Sequence, residues 1–183
     1  MRSAIVILTF ALGACRTSDS AEADPVPFHP DAGATGATNA TNAANEPDFQ
    51  FGTKAHGVEL VNAPPGDVTK IVLAARSAAR AHGRAMMVYI GATWCEPCQH
   101  FHQAAERGEL DDTFPTLSLL VFDADNDSQR LRAAGYAPGY IPYFGVPGDD
   151  GRGTSNATEG GIKGPHAVDH IVPRLAPLVE KAK

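Results

Sequence analysis

Two apolar runs, the unbroken Met86-Met87-Val88-Tyr89-Ile90 and Leu117 to Phe122 with Ser118 its one polar residue, constrain this chain more than any other feature. Runs this short, rich in branched and aromatic residues and without polar alternation, predict strands buried on both faces. Such strands belong to parallel sheets. A parallel pair needs a crossover of about a dozen residues or more, and Cys95 to about Arg107 predicts the helix of that crossover. Ahead of it, Val68, Ile71, Val72, Ala75 and Ala79 recur at helical spacing, with Asp67 in the first turn and Gly83 just past the end. Val58 to Val61 predicts a short edge strand before Pro64-Pro65-Gly66.

Downstream, Asp127 to Ala134 predicts a short helix. Tyr143 to Val146 and Thr158 to Lys163 predict a hairpin across the turn-forming loop 148–153. The final helix begins near Pro165, places Val168, Ile171, Val172, Leu175 and Val179 on one face, and tolerates Pro173 and Pro177 only with bending. From Ala85 onward, with the short helix included, the order reads β-α-β-α-β-β-α, an α/β chain with no internal repeat. With 43% hydrophobic residues, 20% charged residues and a net charge of -6, the chain has neither the apolar content of a multispanning membrane protein nor a basic field for nucleic acid.

The N-terminus differs in kind. Arg2 followed by the apolar stretch Ala4 to Leu12 has the layout of an export signal and is too short to span a bilayer, which takes about 20 apolar residues. Leu12-Gly13-Ala14-Cys15 resembles the bacterial lipobox, whose cysteine is diacylated and becomes the new N-terminus. That implies a lipoprotein signal peptide over 1–14, palmitate-type acyl chains on Cys15, and a domain on the periplasmic or extracytoplasmic side of a bacterial membrane. Arg16 in place of aspartate favours an outer membrane where there are two. From Arg16 to about His56 the composition turns to Ala, Thr, Asn, Asp, Pro and Gly. Residues 15–56 therefore read as a lipidated cysteine and a disordered tether of about 35 Å root-mean-square reach, with the folded domain over 57–183.

Of three cysteines, lipidation of Cys15 leaves only Cys95 and Cys98. Their Cys-x-x-Cys follows a buried strand and opens a helix, so the sulfurs lie one turn apart and the first faces unpaired backbone N–H groups. This placement lowers the pKa of Cys95 and makes it the attacking thiol; Cys98, deeper in the helix, resolves the mixed disulfide. The expected roles differ by burial.

Trp94-Cys95-Glu96-Pro97-Cys98 resembles the active site of the thioredoxin superfamily, and Ile141-Pro142 resembles that family's cis-proline loop. The resemblance spans roughly Val58 to Lys183. It implies a thioredoxin fold with a mixed central sheet flanked by helices, and a thiol–disulfide oxidoreductase acting on exported proteins with an unidentified redox partner and no cofactor. It also implies a cis Ile141-Pro142 bond packed by the disulfide, and a last strand at Gly160-Gly161-Ile162-Lys163-Gly164 where a glycine keeps the surface open. The family commonly carries a buried carboxylate six residues before the first cysteine; here that residue is Tyr89. Glu96 is expected to be exposed and to modulate the potential, since an acid there opposes thiolate formation. Glu96-Pro97 with Ile141 is similar to tethered reductases of cytochrome c maturation, which implies a reductant.

A rival reading is copper or zinc binding or delivery through Cys95, Cys98 and His102, with His100 nearby. A third is a binding module with idle cysteines. Blander readings fit the rest: Trp94 packs beside the disulfide, Tyr140, Tyr143 and Phe144 are core or rim, Asp123, Asp125 and Asp127 start a helix, and His166 and His170 lie on a solvated face.

Overall fold

The computed structural model describes residues 49–183. The signal segment, Cys15 and the tether up to residue 48 lie outside the described residues. Nine elements follow: β1 Gly57–Asn62, α1 Val68–Ala81, β2 Ala85–Gly91, α2 Glu96–Glu106, β3 Thr116–Asp123, α3 Ser128–Ala133, β4 Tyr143–Gly145, β5 Ala157–Glu159 and α4 Ala167–Ala182. The sheet order is β1-β3-β2-β4-β5. β3 is parallel to both β1 and β2, whereas β4 runs antiparallel to β2 and β5 antiparallel to β4. This is the mixed sheet expected, an α/β thioredoxin-like fold.

β2 is buried at all seven positions because it is covered on both sides. Its side chains alternate between two cores, as the pleat requires. Ala85, Met87 and Tyr89 join Phe101 and Ala104 of α2 and Ile171 and Leu175 of α4. Met86, Val88 and Ile90 join Val72 and Ala75 of α1. Helix α1 starts where the Asp67 carboxylate accepts from the Lys70 N–H at 3.0 Å. It stops at Gly83, which takes φ 66°.

Four expected boundaries need correction. The fold begins before Gly57: Phe49 and Phe51 are buried against the α1 core. The chain between them and β1 is fastened to Glu59, which accepts from Gly52 N at 3.0 Å and Lys54 N at 2.6 Å. Glu59 is itself buried and pairs with buried Arg84 at 2.8 Å. The second hairpin strand, expected at Thr158 to Lys163, is only Ala157–Glu159. Gly160, with φ 73°, turns the chain off the ladder, and its N–H donates to Pro142 O at 2.8 Å. Residues 160–164 are therefore a loop rather than a last strand, and the hairpin's first strand stops at Gly145. Both prolines of the final helix sit inside a single α4.

Candidate active site

Cys95 and Cys98 form a disulfide, with sulfurs 2.02 Å and Cα atoms 5.2 Å apart. Local sequence places them. Gly91 ends β2, and the chain turns at Cys95, which takes extended angles and is the N-cap of α2. Pro97 occupies the first turn, where its missing N–H costs nothing. The Cys95 Sγ accepts the Cys98 N–H at 3.3 Å. A sulfur thus stands where a serine or aspartate oxygen usually caps a helix, at the positive end of the helix dipole. The expected contrast in burial is absent: Cys95 is 4% exposed and Cys98 2%. Position along α2 distinguishes them instead, one capping the helix and the other standing inside its first turn.

Beside Trp94, which adjoins Cys95 in the chain, lies a groove of about 700 Å³ bordered also by Asp125, Tyr136, Tyr140 and Ile141. The Ile141-Pro142 bond is cis, as the resemblance implied. Trp94 is 66% exposed, a surface group rather than a packed one, and its indole Nε1 donates to Asp125 Oδ2 at 2.8 Å. Tyr140 is an exposed rim residue, while Tyr143 and Phe144 belong to the core. The neighbouring carboxylates build the turn into α3: Asp123 Oδ1 accepts from Asp125 N and Asn126 N, and Asp127 Oδ2 accepts from Asp123 N.

Glu96 is only partly free. Its Oε1 accepts the Gly164 N–H at 2.9 Å and lies 3.8 Å from His100 Nε2. This bond holds loop 160–164 against the start of α2, where a Cβ on Gly161 would come within 3.0 Å of Pro97. The glycine does keep this approach open, from a loop rather than from a strand.

A second cavity, of about 530 Å³, lies beside Cys98 and is lined by Tyr89, Gly91, His102, Glu106 and Asp123 among others. Tyr89 is fully buried, and its hydroxyl has no hydrogen-bond partner among the described residues. Burial pushes this phenol well above its usual range. The hydroxyl sits against Gly91, where an added Cβ would lie 2.5 Å away. The His102 ring stands 5.0 Å from the Tyr89 ring. Burial lowers the His102 pKa from its ordinary value, with the charge of Glu106 pulling the other way.

Sequence reasoning put His102 with the cysteines only in the rival metal-binding reading; it missed Asp125 as the partner of Trp94 and Glu106 as a neighbour of the site. The four-residue step from Cys98 to His102 to Glu106 was the available signal. Among the described residues no three His, Cys, Asp or Glu side chains converge as a metal site. His166 pairs with Asp169, on the exposed surface.

The sequence pattern of a family described as Thioredoxin-like matches residues 67–143, from the cap of α1 through both cysteines to the start of β4. Among solved structures, thioredoxin O1 from Arabidopsis thaliana in its oxidised state is similar at 20% identity. The similarity covers 69% of this chain and 97% of that one, with a TM-score of 0.41. No curated protein matches the chain.

Proposed function

Because this chain carries a domain of the thioredoxin superfamily, we propose that it is a thiol–disulfide oxidoreductase exchanging disulfides with exported proteins through Cys95 and Cys98. The observation that carries the reading is the disulfide at the start of α2 with Cys95 Sγ in the capping position. In the dithiol form that position favours a Cys95 thiolate. The thiolate attacks a substrate disulfide, one substrate sulfur leaves as thiolate, and a mixed disulfide forms on Cys95. Cys98 then attacks Cys95 Sγ, the second substrate sulfur leaves, and the Cys95–Cys98 bond closes. Two electrons have passed to the substrate, and a redox partner returns them. Trp94, Ile141 and Pro142 would border the substrate strand, with Glu96 and Pro97 shaping the helix start.

The direction proposed is reduction. A carboxylate on Glu96 beside the nucleophile disfavours the thiolate and so makes the disulfide a weaker oxidant. The couple is expected near about −270 mV, and titration against glutathione buffers that returned a value above about −180 mV would exclude a reductant. Insulin reduction with dithiothreitol as the electron source tests the activity itself; absence of turnover would exclude the enzyme. The protein is further proposed to act from a bacterial membrane, held by acyl chains on Cys15 through the tether. Support for this is the Leu12-Gly13-Ala14-Cys15 pattern. Palmitate labelling that persisted in Cys15→Ser would reject it.

A further inference from the structure

The second thiol of an exchange pair must lose a proton before it can attack, and the β2 side chain that lines the cavity beside Cys98 is Tyr89. Its phenol, pushed up by burial, is protonated at neutral pH and offers no base. The cavity beside Cys98 supplies a different arrangement. Cys98, His102 and Glu106 follow one another at four-residue steps along α2, and all three line that cavity. Side chains so spaced are neighbours, about 5–6 Å apart at Cβ.

We propose that His102 is the general base for Cys98, accepting its thiol proton across this cavity while Glu106 stabilises the imidazolium that forms. The inference rests on the exchange reading of Cys95 and Cys98. The step balances: Cys98 S–H gives its proton to His102, its sulfur forms the bond to Cys95 Sγ, and the substrate sulfur departs with the electron pair of the broken bond. The imidazolium then returns the proton to the departed thiolate or to solvent through the cavity mouth.

The remaining acidic groups facing His102 are committed elsewhere. From the end of β3, Asp123 accepts two backbone N–H groups; at the start of α3, Asp127 accepts from Asp123 N and from Arg130 Nε at 2.9 Å. From β2 there is the phenol of Tyr89, and from α2 itself Cys98 and Glu106. Burial makes His102 neutral in the pH range where a thiol must be deprotonated. Its ring stands tilted beside that of Tyr89, centroids 5.0 Å apart.

The test isolates the resolving step in the full chain. Cys95 is loaded as the mixed disulfide with 5-thio-2-nitrobenzoate, and release of the chromophore by Cys98 is followed by stopped flow across pH. The wild-type rate should fall as pH drops through the His102 titration, below the ordinary value of about 6.5. His102→Gln should slow release about a hundredfold at neutral pH and leave a profile that rises only towards the free-thiol value of about 8.5. Attack of reduced Cys95 on the free reagent should change far less. Glu106→Gln should move the acid limb to lower pH.

Superimposable profiles for wild type and His102→Gln overturn the proposal, as does equal slowing of the first attack and of release. Should His102→Gln not fold, Glu106→Gln decides: a shifted limb supports the proposal and an unshifted one overturns it. Failure of the wild-type protein to form or release the mixed disulfide overturns the exchange reading, and this inference with it.

Discussion

The groove beside Trp94 and the cavity beside Cys98 present different side chains. The groove side is an exposed aromatic rim, with Trp94 tied to Asp125 and Tyr140 projecting beside the cis Ile141-Pro142 bond. The cavity side holds a buried phenol without a partner among the described residues, a half-buried imidazole and the inner cysteine. An exposed aromatic rim can meet a polypeptide, whereas a cavity lined by His102 and Glu106 can hold and pass a proton. The difference teaches that the two sulfurs, equally hidden from solvent, are set apart by what each side offers them.

The sharpest way to break that division is to remove one sulfur at a time. Cys95→Ser should abolish insulin reduction and form no mixed disulfide. Cys98→Ser should also abolish turnover, yet it should accumulate protein joined to Cys95, visible as a thiol-sensitive band on non-reducing gels. If both variants trapped substrate equally, the assignment of one attacking and one resolving sulfur would fail.

A smaller effect is expected from filling the cavity floor. Gly91→Ala drives a methyl against the Tyr89 hydroxyl, and this buried ring between Phe101 and Phe144 has little room to retreat. The expected cost is about 1–3 kcal/mol, read as a lower urea midpoint with unchanged slope. An unchanged midpoint would mean that the floor yields easily and is a poor platform for His102.

How much of this was legible beforehand follows from how local each signal is. The apolar runs of β2 and β3, the α1 repeat and the Cys-x-x-Cys are written in contiguous residues, and all stand where expected. Glu59 was unreadable for the opposite reason: a glutamate in β1 looks solvent-facing until Arg84, brought in from the start of β2, and the N–H groups of Gly52 and Lys54 are seen to surround it. That cluster fixes residues 49–56 to the domain, which composition alone had assigned to the tether. The hairpin strand was overextended because Ile162 suggests a strand, while the turn at Gly160 depends on the distant carbonyl of Pro142. Tyr89 was visible as a departure, but its orphaned hydroxyl and its closeness to His102 are three-dimensional facts.

Acid titration probes the cavity side more gently. The folded-state pKa of His102 is lowered, so below about 6.5 the unfolded chain binds the proton first. The resulting stability is complete above that pH and declines as pH falls towards the folded value. His102→Gln should therefore flatten the drop in urea midpoint between about pH 7.5 and pH 5.5, leaving acid loss at lower pH to carboxylates such as Glu59, held below its usual range. Burial opposes the charge of Glu59, and the N–H groups of Gly52 and Lys54 with Arg84 more than offset it. An identical drop in the variant would place the titrating group elsewhere.

The least effect should come from loosening the groove rim without removing it. Asp125→Ala leaves the Trp94 indole in place but deletes its one hydrogen bond to protein, an exposed contact of about 0.5–1.5 kcal/mol. If the rim only receives substrate, the loss appears as a KM for insulin raised by about threefold, with kcat and the pH profile of resolution unchanged. A change in kcat instead would show that the tryptophan influences the sulfurs directly. The two sides would then be coupled through Trp94, which adjoins Cys95 in the chain, and the division of labour between groove and cavity would have to be abandoned.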